Sequence, residues 1–200
     1  VEPPKEKSSM MGFCDCPPVM GRKIKEGPES KDRSRLIRQL STKWVNGTNL
    51  TWTWHGRKPK ATWHSQALKG FQAWMDICGI TFEYTTSSDA QIRIGTVDGD
   101  GSWSYVGRDI LSIPVSERTM NFGWDILDEQ GWVTVLHEIG HTLGLQHEHQ
   151  NPFAGIVWDE DRVLRDLSRP PNNWTEQQAR HNVVNKRDRD TLDASEWDAE

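Results

Sequence analysis

The sequence contains no apolar run near the ~18 residues that mark a membrane-spanning helix, and its mean hydropathy is -0.75; a transmembrane helix is excluded. It has no basic excess. Its 24 Lys and Arg face 29 Asp and Glu, for a net charge of -5, where a nucleic-acid binder carries a basic face. Cysteine is scarce, with three in 200 residues, so at least one thiol is odd. Cys14 and Cys16 are too close in sequence to bridge each other without strain, which leaves either of them to pair with Cys78. Methionine and tyrosine run out early: no Met follows Met120 and no Tyr follows Tyr105. There is no internal repeat. The chain opens with neither Met nor a signal peptide, and its N-terminus reads as trimmed.

What is present suits one domain, with two lobes around a cleft, and a sizeable core. Eleven tryptophans can fill a core or line a groove, and composition does not separate the two. Sequons at Asn46, Asn49 and Asn173 fit a secreted protein. Residues 1–31 are rich in Pro, Lys, Glu, Ser and Gly without apolar periodicity, as expected of an extended tail or pro-segment. Through Lys43 ten basic residues face six acidic ones, so the remainder is strongly acidic. A basic strap on an acidic body and a solvated tail are both compatible with that split. The expected division is a tail over 1–42 and a catalytic domain over 43–200.

Periodicity then places the elements. Residues 50–54 (Leu-Thr-Trp-Thr-Trp) alternate as a strand. Trp63, Ala67, Phe71 and Trp74, with Leu68, Met75 and Cys78, recur at helical spacing, predicting a helix over 61–78 ended by Gly79. Residues 80–84 and 91–94 alternate again. Asp98-Gly-Asp-Gly101 is a turn; it resembles a calcium loop only in part, lacking the distal glutamate. Short strands are expected at 102–106 and 119–122, and a helix over about 130–144 with Trp132, Leu136, Ile139 and Leu143 as its buried stripe. A polar stretch follows Asn151-Pro152, then a short helix at 175–185 capped by Thr175.

The chemistry concentrates in residues 137–147, His-Glu-Ile-Gly-His-Thr-Leu-Gly-Leu-Gln-His. His137 and His141 are four apart and project from one helical face. Gly144 accepts positive φ, so the helix can stop and the chain reverse, returning His147 as a third ligand. Three imidazoles suit a catalytic Zn2+ with one open position. Glu138 lies beside the metal as a general base rather than a ligand. His55, His64 and His181 have no ligand spacing, and His149 reads as a bystander.

On these residues the chain resembles the metzincin metalloproteases, and the astacin-like group within them. The run 137–147 matches the metzincin zinc signature, Glu148 matches the residue astacins place after the third histidine, and Gly101-Ser-Trp-Ser-Tyr-Val-Gly107 is similar to that family's edge-strand region. The resemblance covers about residues 43–200. It implies a two-lobed α/β domain with a twisted, mixed, mostly parallel sheet, two long helices and a zinc cleft beneath an antiparallel edge strand. A peptide substrate would pair along that edge by β-augmentation, here at Ser102, Trp103, Ser104 and Tyr105. It implies a zinc endopeptidase with His137, His141 and His147 as ligands, Glu138 as base, and Glu148 as an outer partner of the ligand set. The family continues to a methionine turn, with a tyrosine near the metal; residues 195–200 look like its lead-in, so the C-terminal lobe reads as truncated.

Two further expectations concern regulation and competing functions. A thiolate or carboxylate on an N-terminal strap can hold a protease latent by taking the open metal position, and Cys14, Asp15 or Cys16 are placed to do so. The alternatives to a protease are an impaired peptide-binding module that keeps the zinc site, and a zinc hydrolase of a non-peptide amide. Glu138 argues against the first, because a binder needs no base, and the astacin-like resemblance disfavours the second. The expected partners are protein or peptide substrates, with no nucleic acid and no membrane span, and the expected location is extracellular.

Overall fold

The structure, a computed structural model, describes residues 14, 16, 17, 38, 39, 42–170, 172–188, 192 and 193. Asp15, most of the 1–37 segment and residues 195–200 lie outside the described residues.

The alternating strands assemble into one five-stranded sheet: β2 (Asn49–Trp54), β3 (Thr81–Tyr84), β4 (Ile92–Gly95), β5 (Trp103–Ser104) and β6 (Met120–Asn121). The spatial order is β3-β2-β4-β6-β5. The first four run parallel and β5 pairs antiparallel with β6 at the edge, the mixed sheet that the resemblance implies. A separate two-stranded ladder joins β1 (Arg38–Gln39) to β7 (Leu192–Asp193). No helix of the described residues is long and apolar enough to cross a membrane.

Helix α1 (Ala61–Met75) and helix α2 (Glu129–Thr142) pack on each other and on the sheet. α1 stops at Met75, three residues before the predicted end, and a turn carries the chain to Gly79. The helices approach closely at Gly70, where an added Cβ would lie 2.4 Å from Val135 Cγ1. The core between them is built from Leu50, Trp52, Phe71, Ile92, Ile94, Val135 and Ile139, all buried. Trp52 stacks on Phe71 at 4.7 Å and meets Tyr84 edge-on at 4.8 Å, so part of the tryptophan excess is core.

Two expectations need correction. The buried face of α2 is Gly131, Val135, Ile139 and Thr142, with Thr134, Glu138 and His141 also buried, while Trp132, Leu136 and Leu143 lie at its flanks. α2 is covered by α1 on one side and by β5 on another, so its buried arc is wider than one apolar stripe. The stretch after Asn151 also contains a helix, α3 (Glu160–Leu167), begun by the Asp159 side chain accepting from Arg162 N. α3 packs with α4 (Glu176–Ala179) around Leu167, Trp174, Ala179 and Val183 as a second small core. Thr175 caps α4 as predicted, in a reciprocal capping box with Gln178, and the helix widens into a π-turn over Arg180–Val184.

Arg93 is a heavily bonded side chain that sequence periodicity does not mark. It is 3% exposed in β4, and its guanidinium donates to the carbonyls of Glu117, Ala90, Gln91, Ile113 and Pro114. It thereby fixes the loop that leads into β6 and, through β6, the edge strand.

Candidate metal centre

α2 begins at Asp128, whose side chain accepts from Gly131 N at 2.7 Å, and brings His137, Glu138 and His141 to the cleft. Its end is a Schellman motif. Leu145 N donates to Gly140 O (3.0 Å) and Gly144 N to His141 O (2.8 Å), with Gly144 at φ +100°, the positive φ expected there. The reversal does two things. It returns His147, and it places Leu145 O 2.8 Å from His141 Nδ1. A carbonyl only accepts, so Nδ1 carries a proton and Nε2 is the ring nitrogen turned to the site.

The three predicted ligands converge. Ring centroids lie 4.5 Å apart for His137–His141, 4.7 Å for His141–His147 and 5.4 Å for His137–His147. The Nε2 atoms of His137 and His141 face each other at 2.9 Å. One donor atom from each of the three rings and the Cys14 Sγ all fall within 4.8 Å of one another. Three imidazoles and a thiol form a borderline-soft donor set of the size zinc takes.

The three rings are unlike in their electrostatics. Burial, joined by the charge of His141, pushes His137 down to about 4. Burial and the two neighbouring rings push His147 down further still. Burial also works against charge on His141, but the negative charge of the adjoining Cys16 thiolate outweighs it and raises that ring to about 9.

Glu138 is buried, 1% exposed, and the Cys14 thiol donates to its Oε2 at 3.3 Å. Both lie on a cleft of about 750 Å³ whose wall includes Trp124, Val133, Thr134, His149 and Asn182. Trp124 Nε1 donates to Thr134 Oγ1 at 3.2 Å, so this tryptophan belongs to the groove.

The edge strand is tied to the metal helix by Ser104 Oγ and Thr142 Oγ1 at 3.0 Å. Ser102, Ser104 and Val106 face inward, and Trp103 and Tyr105 are half-buried on the other face. Arg118 sits 5.3 Å over Trp103 and pairs with Asp100, which also accepts from Trp103 Nε1. Residues 98–101 are therefore a turn that braces the edge strand.

Of the remaining sequence expectations, Glu148 is exposed and its Oε1 accepts from Asn151 Nδ2 at 3.2 Å. The disulfide to Cys78 is not formed. None of the three cysteines is bridged; Cys14 and Cys16 lie at the histidine cluster, while Cys78 Sγ points to Ile80 O. His149 is not the bystander its spacing suggests. Its ring stacks on His147 at 5.1 Å and 18°, and its Nε2 donates to Asn182 O at 2.8 Å. Asn182 itself carries no sequence signal; it is 1% exposed and accepts the Cys16 N–H at 3.0 Å. The only local hint was the capped helix that carries it.

Comparison with known proteins agrees with this geometry. The model of the peptidase family described as Astacin matches residues 36–162. Zinc metalloproteinase nas-36 of Caenorhabditis briggsae is 28% identical over 135 residues, 62% of this chain and 20% of that protein. Serralysin of Photorhabdus sp. (strain Az29) is 30% identical over 152 residues, 68% of this chain and 30% of that protein. A solved structure of myroilysin superposes with a TM-score of 0.72 at 36% identity, covering 81% of this chain and 79% of that one. The chain spans about a fifth of the length of the nas-36 relative it matches. With a mixed sheet closed by an antiparallel edge strand, and a histidine cluster suited to zinc at the end of its second helix, the chain belongs to the astacin family of zinc metallopeptidases.

Proposed function

We propose that this chain is a secreted zinc-dependent endopeptidase that cuts extended peptides, held latent by its own N-terminal segment. The observation that carries the reading is the convergence of three imidazoles and a buried carboxylate on one cleft, on a helix that Thr142 ties to Ser104 of the edge strand.

His137, His141 and His147 would hold Zn2+, which when bound supplies a water of lowered pKa and polarises the scissile carbonyl. The protein's own part is positional and protonic. Leu145 O fixes the His141 tautomer. Glu138, directly beside His137, takes the proton of the attacking water. The water oxygen bonds to the carbonyl carbon, the C–N bond breaks, and Glu138 delivers its proton to the departing amine. Tyr105 N–H donates inward to Thr119 O, so by the alternation of an antiparallel ladder the backbone groups of Ser104 face the open edge. The substrate pairs there, with Trp103 and Tyr105 flanking it.

Latency rests on the strap. Cys14 lies within the ligand group and donates to Glu138, so one thiol engages both the metal position and the base. Of the three residues singled out in the sequence, Cys14 fits this role; Cys16 lies against His141 and anchors through its backbone. This favours a division into pro-segment over 1–42 and catalytic domain over 43–200. A binding module without activity has no use for a buried base at the metal.

Chelator-sensitive cleavage of casein or a quenched peptide library tests the reading, using zinc-loaded protein before and after removal of the strap. Cleavage that appears on trimming and vanishes with chelator is expected. Zinc-loaded, trimmed protein that binds peptides without cutting them would leave the binding module instead.

A further inference from the structure

We infer that Asn182 is a backbone-binding residue for substrate, its side-chain oxygen taking one peptide N–H on the edge of the substrate that faces away from β5. The inference rests on the peptidase reading and extends it to the second wall of the cleft.

Two residues of the strap are seated at the site. Cys14 is at the centre, against Glu138. Two residues on, the Cys16 N–H donates to Asn182 Oδ1 at 3.0 Å. The amide is not free to flip, because its Nδ2 donates to Gln178 O at 3.1 Å, which leaves Oδ1 as the end presented to the cleft. Its backbone is held as well: Asn182 O accepts from His149, whose ring stacks on His147. Asn182 is therefore fixed relative to the third imidazole and lines the same cleft as His137 and Glu138.

An extended peptide alternates its N–H and C=O groups between two edges. One edge is satisfied by β5; the other faces the opposite wall with donors unpaired. When the strap leaves, Asn182 Oδ1 loses the Cys16 donor and opens on the cleft. A substrate N–H about two residues from the scissile bond, ~6.6 Å along an extended chain at 3.3 Å per residue, restores the bond that the strap made. Latency and substrate recognition then use the same acceptor.

The test is a backbone N-methyl scan. The full chain is folded with zinc, cut after folding between Pro17 and Arg38, and carries Glu138→Ala so that peptides persist. Dissociation constants are measured for a fluorescent extended peptide and for analogues each N-methylated at one residue. In this background one N-methyl group, about two residues from the centre, is expected to weaken binding about tenfold, the scale of one well-made hydrogen bond. Asn182→Ala should weaken the parent peptide by a similar factor and lose sensitivity to that one methyl group. Asn182→Asp keeps the acceptor and should keep the sensitivity. The inference is overturned if the Asn182→Ala scan has the same profile as its parent, if no single N–H on that edge matters when Asn182 is intact, or if no peptide binds. Turnover is read separately with Glu138 intact: absence of cleavage alongside a positive scan would refute the peptidase reading and leave Asn182 as a peptide-binding residue.

Discussion

Two glycines against the same carbonyl separate backbone strain from lack of space. Gly144 has φ +100° and Gly107 has φ +52°. By dihedral alone Gly144 is the less replaceable, since +52° lies in the left-handed region that non-glycine residues visit at about 1–2 kcal/mol, while +100° lies outside it. Space reverses the order. A Cβ on Gly144 would find nothing closer than Thr42 O at 3.6 Å, an ordinary contact, whereas a Cβ on Gly107 would lie 2.1 Å from that same Thr42 O. Main chain cannot step aside as a side-chain tip can. Gly144→Ala should therefore cost only conformational strain, about 1–3 kcal/mol. Gly107→Ala should cost its own, smaller strain plus overpacking against main chain, about 2–5 kcal/mol together. At roughly 2–4 °C per kcal/mol for a domain of this size, the melting temperature of the metal-free protein should fall further for Gly107→Ala. Zinc affinity should sort the pair the other way. Relaxing Gly144 turns Leu145 O away from His141 Nδ1 and displaces His147, and loss of such an orienting contact typically costs about 10–100-fold in metal affinity. Gly144→Asn should recover part of the loss, because Asn tolerates positive φ better than Ala. Chelator competition and circular dichroism melting measure both quantities. A Gly107→Ala protein as stable as Gly144→Ala, or a Gly144→Ala protein with wild-type zinc affinity, would refute the reasoning.

Glu138→Gln should lower turnover by about 10²–10⁴-fold, the usual scale of general acid–base catalysis, with zinc content by atomic absorption unchanged; near wild-type rates would remove Glu138 from the mechanism. Cys14→Ala in the full chain should give peptidase activity without trimming, and that activity should no longer respond to thiol alkylation; a variant as silent as the parent would place the block elsewhere in the strap. Arg93→Met should cost about 3 kcal/mol or more in urea unfolding, because five main-chain carbonyls lose their shared donor; a loss within about 0.5 kcal/mol, as at a surface site, would mean that water replaces the guanidinium.

What the sequence made legible was local. The strands of the sheet, both long helices, the Gly144 reversal and the Thr175 cap each follow from spacing within a dozen residues, and the metal centre was readable because all three imidazoles come from one eleven-residue run. Hidden features rest on contacts distant in sequence. Arg93 looks like an ordinary residue in an alternating strand until the loop from Ile113 to Glu117 closes over it. Asn182 lies 166 residues from the Cys16 it binds, and no local pattern marks either partner. His149 was discounted because two-residue spacing after His147 does not suit a second ligand. Its role comes from stacking, which spacing does not report. α3 is hidden because its apolar face, Val163, Leu164 and Leu167, is short and set among charges, and it gains its burial in a small core with Trp158, Trp174, Ala179 and Val183.

The strap and the third imidazole are physically one arrangement. Gly144 sets the direction in which His147 returns, His147 carries the stacked His149, His149 holds the Asn182 carbonyl, and the Asn182 amide receives Cys16. Cys14, two residues back, then falls among the ligands and against Glu138. The thiol is therefore placed by the same elements that place the metal ligands. On the proposed latency, displacing the strap would expose the base, the metal position and the Asn182 acceptor together. Removing only one of these contacts should give partial leakage, because the two remaining contacts still hold a segment tethered to the same chain at high effective concentration. On the proposed latency, the strap uses the working parts of the site, and a change that loosens His149 or Asn182 should weaken latency and peptide binding in parallel.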